Sequence, residues 1–464
     1  MAAAPDEIPL LFDEHNNFVV VIDELLSSRQ YYVSNTNVLV TEMHGRTGVV
    51  EVTDAFTLRS AADLTDDVPA LRGELLRYVR VLEGSATLHV RIQPGGDPRA
   101  ERHGGGIRWR FSGARDDLRL ITDRPLASQH TTTTVYAGDD LWFLLRWNDT
   151  AHRAHHTYPR RLLDGTTTAW RQWSDTITYR GPHQRMVNRS ALALKLLCRS
   201  GAVNPARTAS TIRDIGLDSD ADHILGSVMD ALEERPPGDE HGHVLDCAYQ
   251  WSRHGGPIDN ELWKRLAALA DAATRLEQPP TTYSAAMRQL TLDRAARLSD
   301  HLGITGSQDW QTTAAALRSR ILRDTWAESR QGLTTLAGSG ECDPRLLSLP
   351  AYGVVPTDHP RIVATANIIA EQLSRSTGTR IHPAGEGPGT ALTNGFLLAE
   401  NLCRQNRFDE ANTLYEKLSA KANALGLFSE RIDLANGHFV DYFPSATAHT
   451  EAIACACALA RAAN

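Results

Sequence analysis

The spacing of apolar residues changes once along this chain, and this change limits the possible folds more than any other feature. In the segment 87–92, polar and apolar residues alternate, as in a strand with one buried face. Turn-rich stretches such as 94–97 separate the strands. Similar alternating runs lie at 37–42, 49–53, 107–111, 118–122 and 141–147. Many short strands without intervening helices predict an antiparallel β-sandwich.

Helical spacing begins near residue 187 and continues to the end of the sequence. The i, i+3, i+4, i+7 pattern of an amphipathic helix is formed, for example, by Phe408, Ala411, Leu414, Tyr415, Leu418, Ala422 and Leu425. Other helices are expected at 190–198, 224–232, 261–276, 284–302, 312–323, 360–373 and 390–404, with a last one from about 451. Because no strand pattern lies between them, we expect stacked helical hairpins.

These two patterns predict the domain organisation. A chain of 464 residues is too long for one compact core. The stretch from 150 to 182 is polar, rich in arginine and weakly periodic, so we expect it to join the two parts. The expected division is a β-sandwich over 1–150, a connector over 151–182 and a helical domain over 183–464.

The composition argues against several classes of partner. The formal net charge is −8 at pH 7, whereas nucleic acids and anionic membranes select basic surfaces. No run approaches the roughly 18 apolar residues of a membrane helix, and the acidic first residues do not resemble a signal peptide. Six cysteines without a CxxC pair are typical of reduced thiols. We therefore expect a cytoplasmic protein that binds a small molecule, without nucleic acid or membrane partners.

A series of short segments, in order from about residue 30 onward, matches one enzyme group. They are 32–39, 50–54, 170–173, 179–182, 189–197, 292–295, 353–356, 408–411 and 425–430, followed by Phe443, Pro444 and His449. Each segment is weak evidence alone, but their common order is strong evidence. Together they resemble the bacterial glucoamylase, glucodextranase and trehalase branch of glycoside hydrolase family 15.

This resemblance implies both a fold and a mechanism. The fold is an antiparallel β-super-sandwich followed by an (α/α)6-type helical barrel, here with missing or shortened helices. The mechanism is inverting hydrolysis, in which one carboxylic acid protonates the leaving oxygen while a second carboxylate activates water. The two carboxyl groups of such enzymes lie roughly 6.5–9.5 Å apart. Glu430, in the last matched segment, aligns with the base of the family.

The general acid of the family has no direct counterpart here. The resemblance places it in a loop before the helix that begins near Tyr283, but the stretch 276–280 is too short for that loop. Glu277 is the nearby carboxylate that could substitute, although a glutamate at a helix end is commonly a solvated cap. Glu386 is a second candidate, because it lies close to Pro388, which occupies the position of another family glutamate.

Further side chains in or beside the matched segments are predicted to bind substrate: Trp173, Tyr179, Tyr283, Arg213, Asp214, Tyr352, Asn394 and His449. Of these, Arg213 and Asp214 resemble the Arg–Asp pair with which the family holds its non-reducing sugar. The aromatic residues that surround this pair in the family are absent here, so a chance match is at least as good an interpretation.

The remaining motifs predict neither a metal nor a cofactor. The stretch 218–222 resembles the start of an EF-hand loop, but His223 and Met229 stand where that loop requires glycine and glutamate. Gly104, Gly105 and Gly106 precede a strand rather than a helix, so they do not predict a phosphate site. Paired zinc-ligand spacing is absent from the loop histidines His152, His155, His156, His241 and His243.

Three functions are compatible with the sequence. A base without its acid suits proton abstraction, so we favour a repurposed enzyme that uses Glu430 to dehydrate, isomerise or cyclise a small molecule in specialised biosynthesis. The second is a non-catalytic binding or scaffold protein in which Glu430 is a relic. The third is residual α-glucoside hydrolysis with Glu277, Glu386 or Asp214 as the acid. A homodimer would bury helices around a shortened barrel.

Overall fold

The protein is described here from a computed structural model, which divides into two compact units, Met1–Thr176 and Ile177–Asn464. The first unit consists mainly of antiparallel strands and the second mainly of helices, as the change in apolar spacing predicts. The described residues are 17–65, 70–95, 98–103, 106–110, 118–124, 126, 128–147, 158–197, 204–234, 241–275, 281–375, 390–433 and 436–463.

The strands of the first unit form one large antiparallel sheet. They are β1 Phe18–Ile22, β2 Leu25–Tyr32, β3 Leu39–Gly45, β4 Gly48–Leu58, β5 Leu71–Ile92, β6 Arg99–His103, β7 Gly106–Arg110, β8 Leu118–Thr122, β9 His130–Tyr136 and β10 Asp140–Arg146. The main hydrogen-bonded order is β2-β3-β4-β5-β10-β8-β7-β6, and β1 and β9 pair with the later part of β5. The long strand β5 therefore serves two layers, between which Trp109 and Phe143 are buried.

A helix, α1 (Tyr158–Asp175), completes the first unit. It lies in the stretch 151–182, where the sequence suggested an irregular connector. Its buried residues recur at helical spacing and include Leu162, Thr166 and Trp173. The backbone N–H of Leu58, at the end of β4, donates to Thr166 Oγ1 over 3.1 Å. The arginines that suggested a connector lie on the other face of an amphipathic helix.

The second unit contains the remaining helices. They are α2 Gln184–Leu197, α3 Pro205–Arg213, α4 Asp218–Glu234, α5 His241–Arg253, α6 Asn260–Arg275, α7 Thr282–His301, α8 Gln308–Asp324, the 3₁₀-helix Pro344–Ser348, α9 Pro360–Arg375, α10 Leu392–Arg404, α11 Phe408–Ser419 and α12 Ala446–Ala463. No helix in the described ranges is long and apolar enough to cross a membrane.

These helices form two concentric rings. The inner ring runs α3, α5, α7, the 3₁₀-helix, α10 and α12, and α12 closes it by packing against α3. Each inner helix is followed or preceded in the chain by an outer one, from the set α2, α4, α6, α8, α9 and α11. This alternation is the (α/α)6 arrangement that the resemblance implies. Two inner members are short, since the 3₁₀-helix has five residues and α3 has nine.

The inner helices begin at one end of the barrel. The first turns of α3 and α12 meet there, with Thr208 Oγ1 3.2 Å from Thr450 Oγ1. The first turns of α5 and α7 meet in the same way, with Tyr283 OH 3.4 Å from His243 Nε2. The end of the barrel that carries these first turns is called the mouth below. The connection into the mouth before α7 is short: α6 ends at Arg275, and α7 begins seven positions later at Thr282.

Small strands add to the second unit. β11 (Trp326–Ala327) pairs with β12 (Gly332–Leu333), and a three-stranded sheet is formed by β13 (Thr390–Ala391), β14 (Arg431–Ile432) and β15 (Phe439–Val440). Because β13 leads directly into the inner helix α10, this three-stranded sheet lies at the mouth. It carries the segment that was predicted to hold the base.

We predict that Trp173 stabilises the first unit and takes no part in substrate binding. It is almost completely buried and contacts Trp170 edge-to-face at 5.9 Å. Trp173→Ala is expected to lower the free energy of unfolding by about 3–5 kcal/mol, measured by urea denaturation followed by circular dichroism. The exposed neighbour Arg171 provides the control, because Arg171→Ala should change the free energy of unfolding by less than about 0.5 kcal/mol. A Trp173→Ala protein of unchanged stability would contradict this assignment.

Candidate functional site

Glu430 is held at the mouth by its own backbone. Its N–H donates to the carbonyl of Tyr442 over 2.9 Å, and its carbonyl accepts from the N–H of Leu392 over 3.1 Å. Leu392 is the first residue of α10, so the backbone of Glu430 is tied directly to an inner helix. The backbone that carries this carboxylate is therefore hydrogen-bonded on both sides, immediately before β14.

A buried histidine fixes the turn that precedes Glu430. His449, in the first turns of α12, accepts a hydrogen bond at Nε2 from the Phe428 N–H over 3.3 Å. Its Nδ1 lies 2.9 Å from Ser190 Oγ on α2. Since Nε2 accepts, Nδ1 carries the proton and donates to Ser190. This neutral imidazole joins α12, α2 and the segment that leads to Glu430.

The surroundings of Glu430 favour its protonated form. Partial burial raises the pKa of Glu430 above its usual range, the charge of Asp441 raises it further, and Arg431 opposes both effects. Arg431 Nε forms an ion pair with Asp441 Oδ2 across the β14–β15 hairpin. Glu430 is thus a carboxyl group whose pKa is shifted toward neutral pH, as a general base requires.

Three aromatic residues lie in or just after β15, the strand that pairs with β14 next to Glu430. Phe439 and Phe443 stack with their ring centroids 5.0 Å apart. Tyr442, whose carbonyl binds Glu430, has a side chain that is 78% exposed. These rings and the Arg431–Asp441 ion pair thus belong to the same β14–β15 hairpin and the residues that follow it.

Four side chains meet at the mouth, from α5, from α7, from the N-cap of α3 and from the segment after the 3₁₀-helix. Tyr283 OH lies 3.4 Å from His243 Nε2, and the Tyr352 ring contacts the His243 ring edge-on at 5.9 Å. Asn204, the N-cap of α3, donates from Nδ2 to Tyr352 OH over 3.4 Å. Burial raises the pKa of Tyr352 well above its usual range, and nearby Tyr283 adds to this shift. Two predicted substrate-binding tyrosines are therefore brought together here.

A buried ion cluster lies in the inner ring. Arg207 on α3 donates from Nη2 to Glu451 Oε2 over 2.8 Å and also pairs with Glu400 on α10. Arg404 pairs with the other oxygen of Glu400 at 2.7 Å. These charges hold the pKa of Glu400 below its usual range against the opposing effect of burial. This cluster was not predicted from the sequence, because no local motif joins Arg207 to Glu400 and Glu451, which lie 193 and 244 positions away.

The structure separates several predicted site residues from Glu430. Arg213 ends α3 and pairs with Asp218 and Asp222 at 3.1 and 2.6 Å. Asp214 pairs with Arg461 at 3.2 Å. Because α12 rises about 1.5 Å per residue, Arg461 lies about 22 Å along the helix from its start at the mouth. Arg213 and Asp214 are thus at the end of the barrel away from Glu430.

Three other residues that were predicted to bind substrate, Trp173, Tyr179 and His449, are buried within the protein. Trp173 lies in the core of the first unit, and Tyr179 OH lies 2.8 Å from the Pro182 carbonyl and 3.0 Å from that of Ala456. His449 is fully buried, so it positions the Glu430 segment rather than contacting a substrate. Asn394 is buried in the first turn of α10, where its Nδ2 has no hydrogen-bond partner within the described part of the chain.

The two candidate acids, Glu277 and Glu386, lie outside the described residues, as do His152, His155 and His156. His241 begins α5, and His243 belongs to the cluster with Tyr283. Within the ranges that the structure describes, no group of three or more His, Cys, Asp or Glu side chains is arranged to hold a metal ion.

Trehalases of two organisms are similar in sequence to this chain over most of its length. The chain is 24% identical to a trehalase of Thermoplasma acidophilum over 521 aligned positions, covering 90% of this chain and 88% of that enzyme. It is 25% identical to a trehalase of Mycobacterium tuberculosis, covering 81% of this chain and 71% of that enzyme. No family model matches the chain.

A solved structure with the same fold is a bacterial glucoamylase complexed with acarbose. It superposes with a TM-score of 0.71 at 12% identity, covering 95% of this chain and 86% of the glucoamylase. The alignment with the Thermoplasma trehalase spans 521 positions, more than the 464 residues of this chain. That trehalase therefore contains internal segments that this chain lacks, in agreement with the short connection between α6 and α7.

We predict that His449 makes folding sensitive to acid. Burial, and secondarily Arg189, lowers the pKa of His449 to about 3, against 6.5 for a free imidazole. Between these two pH values the unfolded chain binds a proton here that the folded chain does not. The free energy of unfolding should therefore decrease as the pH falls below 6.5, by up to about 1.4 kcal/mol per pH unit from this group.

The measurement is urea denaturation of the wild type and of His449→Gln between pH 7.5 and 4.5. Glutamine can make both hydrogen bonds but does not titrate, so the variant should show a smaller loss of stability on acidification. The exposed His254 supplies the control variant His254→Gln, which should follow the wild type. Parallel curves for the wild type and His449→Gln would contradict the assignment.

Proposed function

Because this chain is a divergent member of the glycoside hydrolase family 15 group, we propose that it is an acid–base enzyme that cleaves a small α-glucoside, with Glu430 as its base. The main support for this proposal is the fixed backbone of Glu430 together with the raised pKa of its carboxyl group. Its backbone is hydrogen-bonded on both sides, and its pKa is raised by burial and by Asp441. The relatives named trehalase support an α-glucoside as the substrate class.

Each step of this chemistry requires a particular group. The ionised Glu430 removes a proton from a water molecule, whose oxygen then forms a bond to the anomeric carbon from the face opposite the leaving group. The base must be ionised, so activity is lost as the pH falls through the raised pKa of Glu430. Stacking of the sugar on Tyr442 and Phe443 would orient it at the carboxylate. A separate group must protonate the leaving oxygen.

A second candidate function is supported by the short connection into α7. With α6 ending at Arg275 and α7 beginning at Thr282, a long acid-bearing loop has no room there. Glu430 would then abstract a proton from carbon or oxygen in a dehydration, isomerisation or cyclisation of a sugar-derived molecule. Turnover of such a molecule without hydrolysis of any α-glucoside would favour this candidate. Binding without chemical change would instead favour the non-catalytic interpretation.

We predict that Glu430→Gln removes hydrolysis. The amide keeps the shape of the side chain but cannot accept a proton, so kcat on trehalose should fall about 10²–10⁴-fold while the circular dichroism spectrum is unchanged. The assay is glucose release measured enzymatically. Glu261 is an exposed glutamate on α6, and Glu261→Gln should keep wild-type activity. If Glu430→Gln hydrolyses trehalose at the wild-type rate, Glu430 is not the base.

We also predict that Asp441→Asn moves the acidic limb of the pH–rate profile to lower pH. Asp441 raises the pKa of Glu430, whereas Arg431 lowers it. The substitution removes the first effect and releases Arg431 from its ion pair, so both changes favour the ionised base. The measurement is kcat/KM between pH 4 and 8, with the exposed Asp309→Asn as control. An acidic limb that stays at the same pH or moves to higher pH would contradict these electrostatic effects.

A further inference from the structure

The proposed hydrolysis requires a proton donor, and the described part of the mouth offers a group for this role at the start of α7. Thr281 caps this helix, because its Oγ1 accepts from the Ser284 N–H over 2.9 Å. The cap fixes the first turn and with it Tyr283, the second residue of the helix. Tyr283 is only partly buried, so its hydroxyl can meet a ligand in the mouth.

Tyr283 has a partner that can support proton transfer. Its hydroxyl lies 3.4 Å from Nε2 of His243, a buried residue in the first turn of α5. In the tautomer with a proton on Nε2, the imidazole donates to the phenol oxygen. The Tyr283 hydroxyl also has a side-chain hydrogen bond with Tyr352, so a ligand that takes the phenol proton replaces Tyr352 as its partner. The hydrogen bond from His243 then stabilises the phenolate that remains.

A pair of charged groups lies against the Tyr283 ring. The Arg345 guanidinium lies 4.5 Å from the centre of this ring, a cation–π contact that holds the ring in place. Asp343 holds Arg345 in place through an ion pair of 2.6 Å. The other titratable groups facing this phenol are His243 from α5 and Tyr352 from the segment after the 3₁₀-helix. Arg345 is thus the charged side chain whose cation faces the ring directly.

Tyr283 and Glu430 lie at the same end of the barrel. Tyr283 stands in the first turn of α7, and Glu430 is hydrogen-bonded to the first residue of α10. These two inner helices are separated only by the 3₁₀-helix, which contacts both. A ligand at the mouth can therefore face a base on one side and a phenol on the other, which is the arrangement that inversion requires.

We propose that Tyr283 is the proton donor that partners Glu430, with His243 as the residue that positions its hydroxyl. This inference rests on the proposed α-glucoside hydrolysis. As the glycosidic C–O bond breaks, its electron pair goes to the leaving oxygen, which takes the phenol proton. The attacking water forms the new C–O bond and gives its proton to Glu430. Solvent then carries that proton from Glu430 back to the phenolate, which restores both groups without an oxidant or cofactor.

The test compares two substrates that differ in their need for protonation. Trehalose has a sugar alkoxide as its leaving group and requires an acid, whereas α-glucosyl fluoride releases fluoride with little protonic help. Tyr283→Phe keeps the ring and loses only the hydroxyl. It should reduce kcat on trehalose about 10²–10⁴-fold and change kcat on α-glucosyl fluoride by no more than a few-fold. Tyr136, 62% exposed in the first unit, provides the control Tyr136→Phe, which should match the wild type on both substrates.

The outcomes separate this inference from the proposed function. Equal losses on both substrates would indicate a structural role for Tyr283, and no loss on trehalose would exclude it as the donor. Either result overturns the inference while wild-type hydrolysis still supports the proposed function. If the wild type cleaves neither substrate, the proposed hydrolysis is wrong and the inference falls with it. A His243→Asn variant with reduced trehalose turnover and unchanged fluoride turnover would further support the pairing.

Discussion

The barrel depends on one buried arginine that joins three inner helices. Arg207 on α3 bonds Glu451 on α12 and Glu400 on α10, and Arg404 balances the second negative charge. In this low-dielectric interior, loss of one partner would leave an uncompensated charge at a cost of about 3–5 kcal/mol. The cluster therefore ties α3, α10 and α12 to one another within the inner ring.

The two side chains to which the chemistry is assigned, Glu430 and Tyr283, are held in place by different parts of the barrel. Glu430 is held by backbone hydrogen bonds and by the neutral His449, so its position follows from the packing of α10, α12 and α2. The Tyr283 hydroxyl is held by His243 and depends on the register of α5 and α7. A short connection before α7 thus removes a loop but leaves a phenol at the start of the helix.

The sequence predicted the fold well and the site only in part. The change of apolar spacing and the ordered segments were sufficient for the two units, the barrel and the family relationship, because these depend on many residues at once. Helix α1 was missed because its arginine-rich exposed face hid the buried one. Arg213 and Asp214 were misplaced because a two-residue motif does not reveal which end of a helix it occupies. Arg207 was missed because its partners are distant in sequence.

As a base, Glu430 would activate a water molecule that attacks the anomeric carbon from the face opposite the leaving group. Proton NMR of the wild-type reaction with α-glucosyl fluoride tests this role most directly, because the first glucose formed is observed before it mutarotates. We expect this glucose to be the β-anomer. Initial formation of α-glucose would mean a retaining mechanism or delivery of water from the other face, and would contradict the assignment of Glu430 as an inverting base.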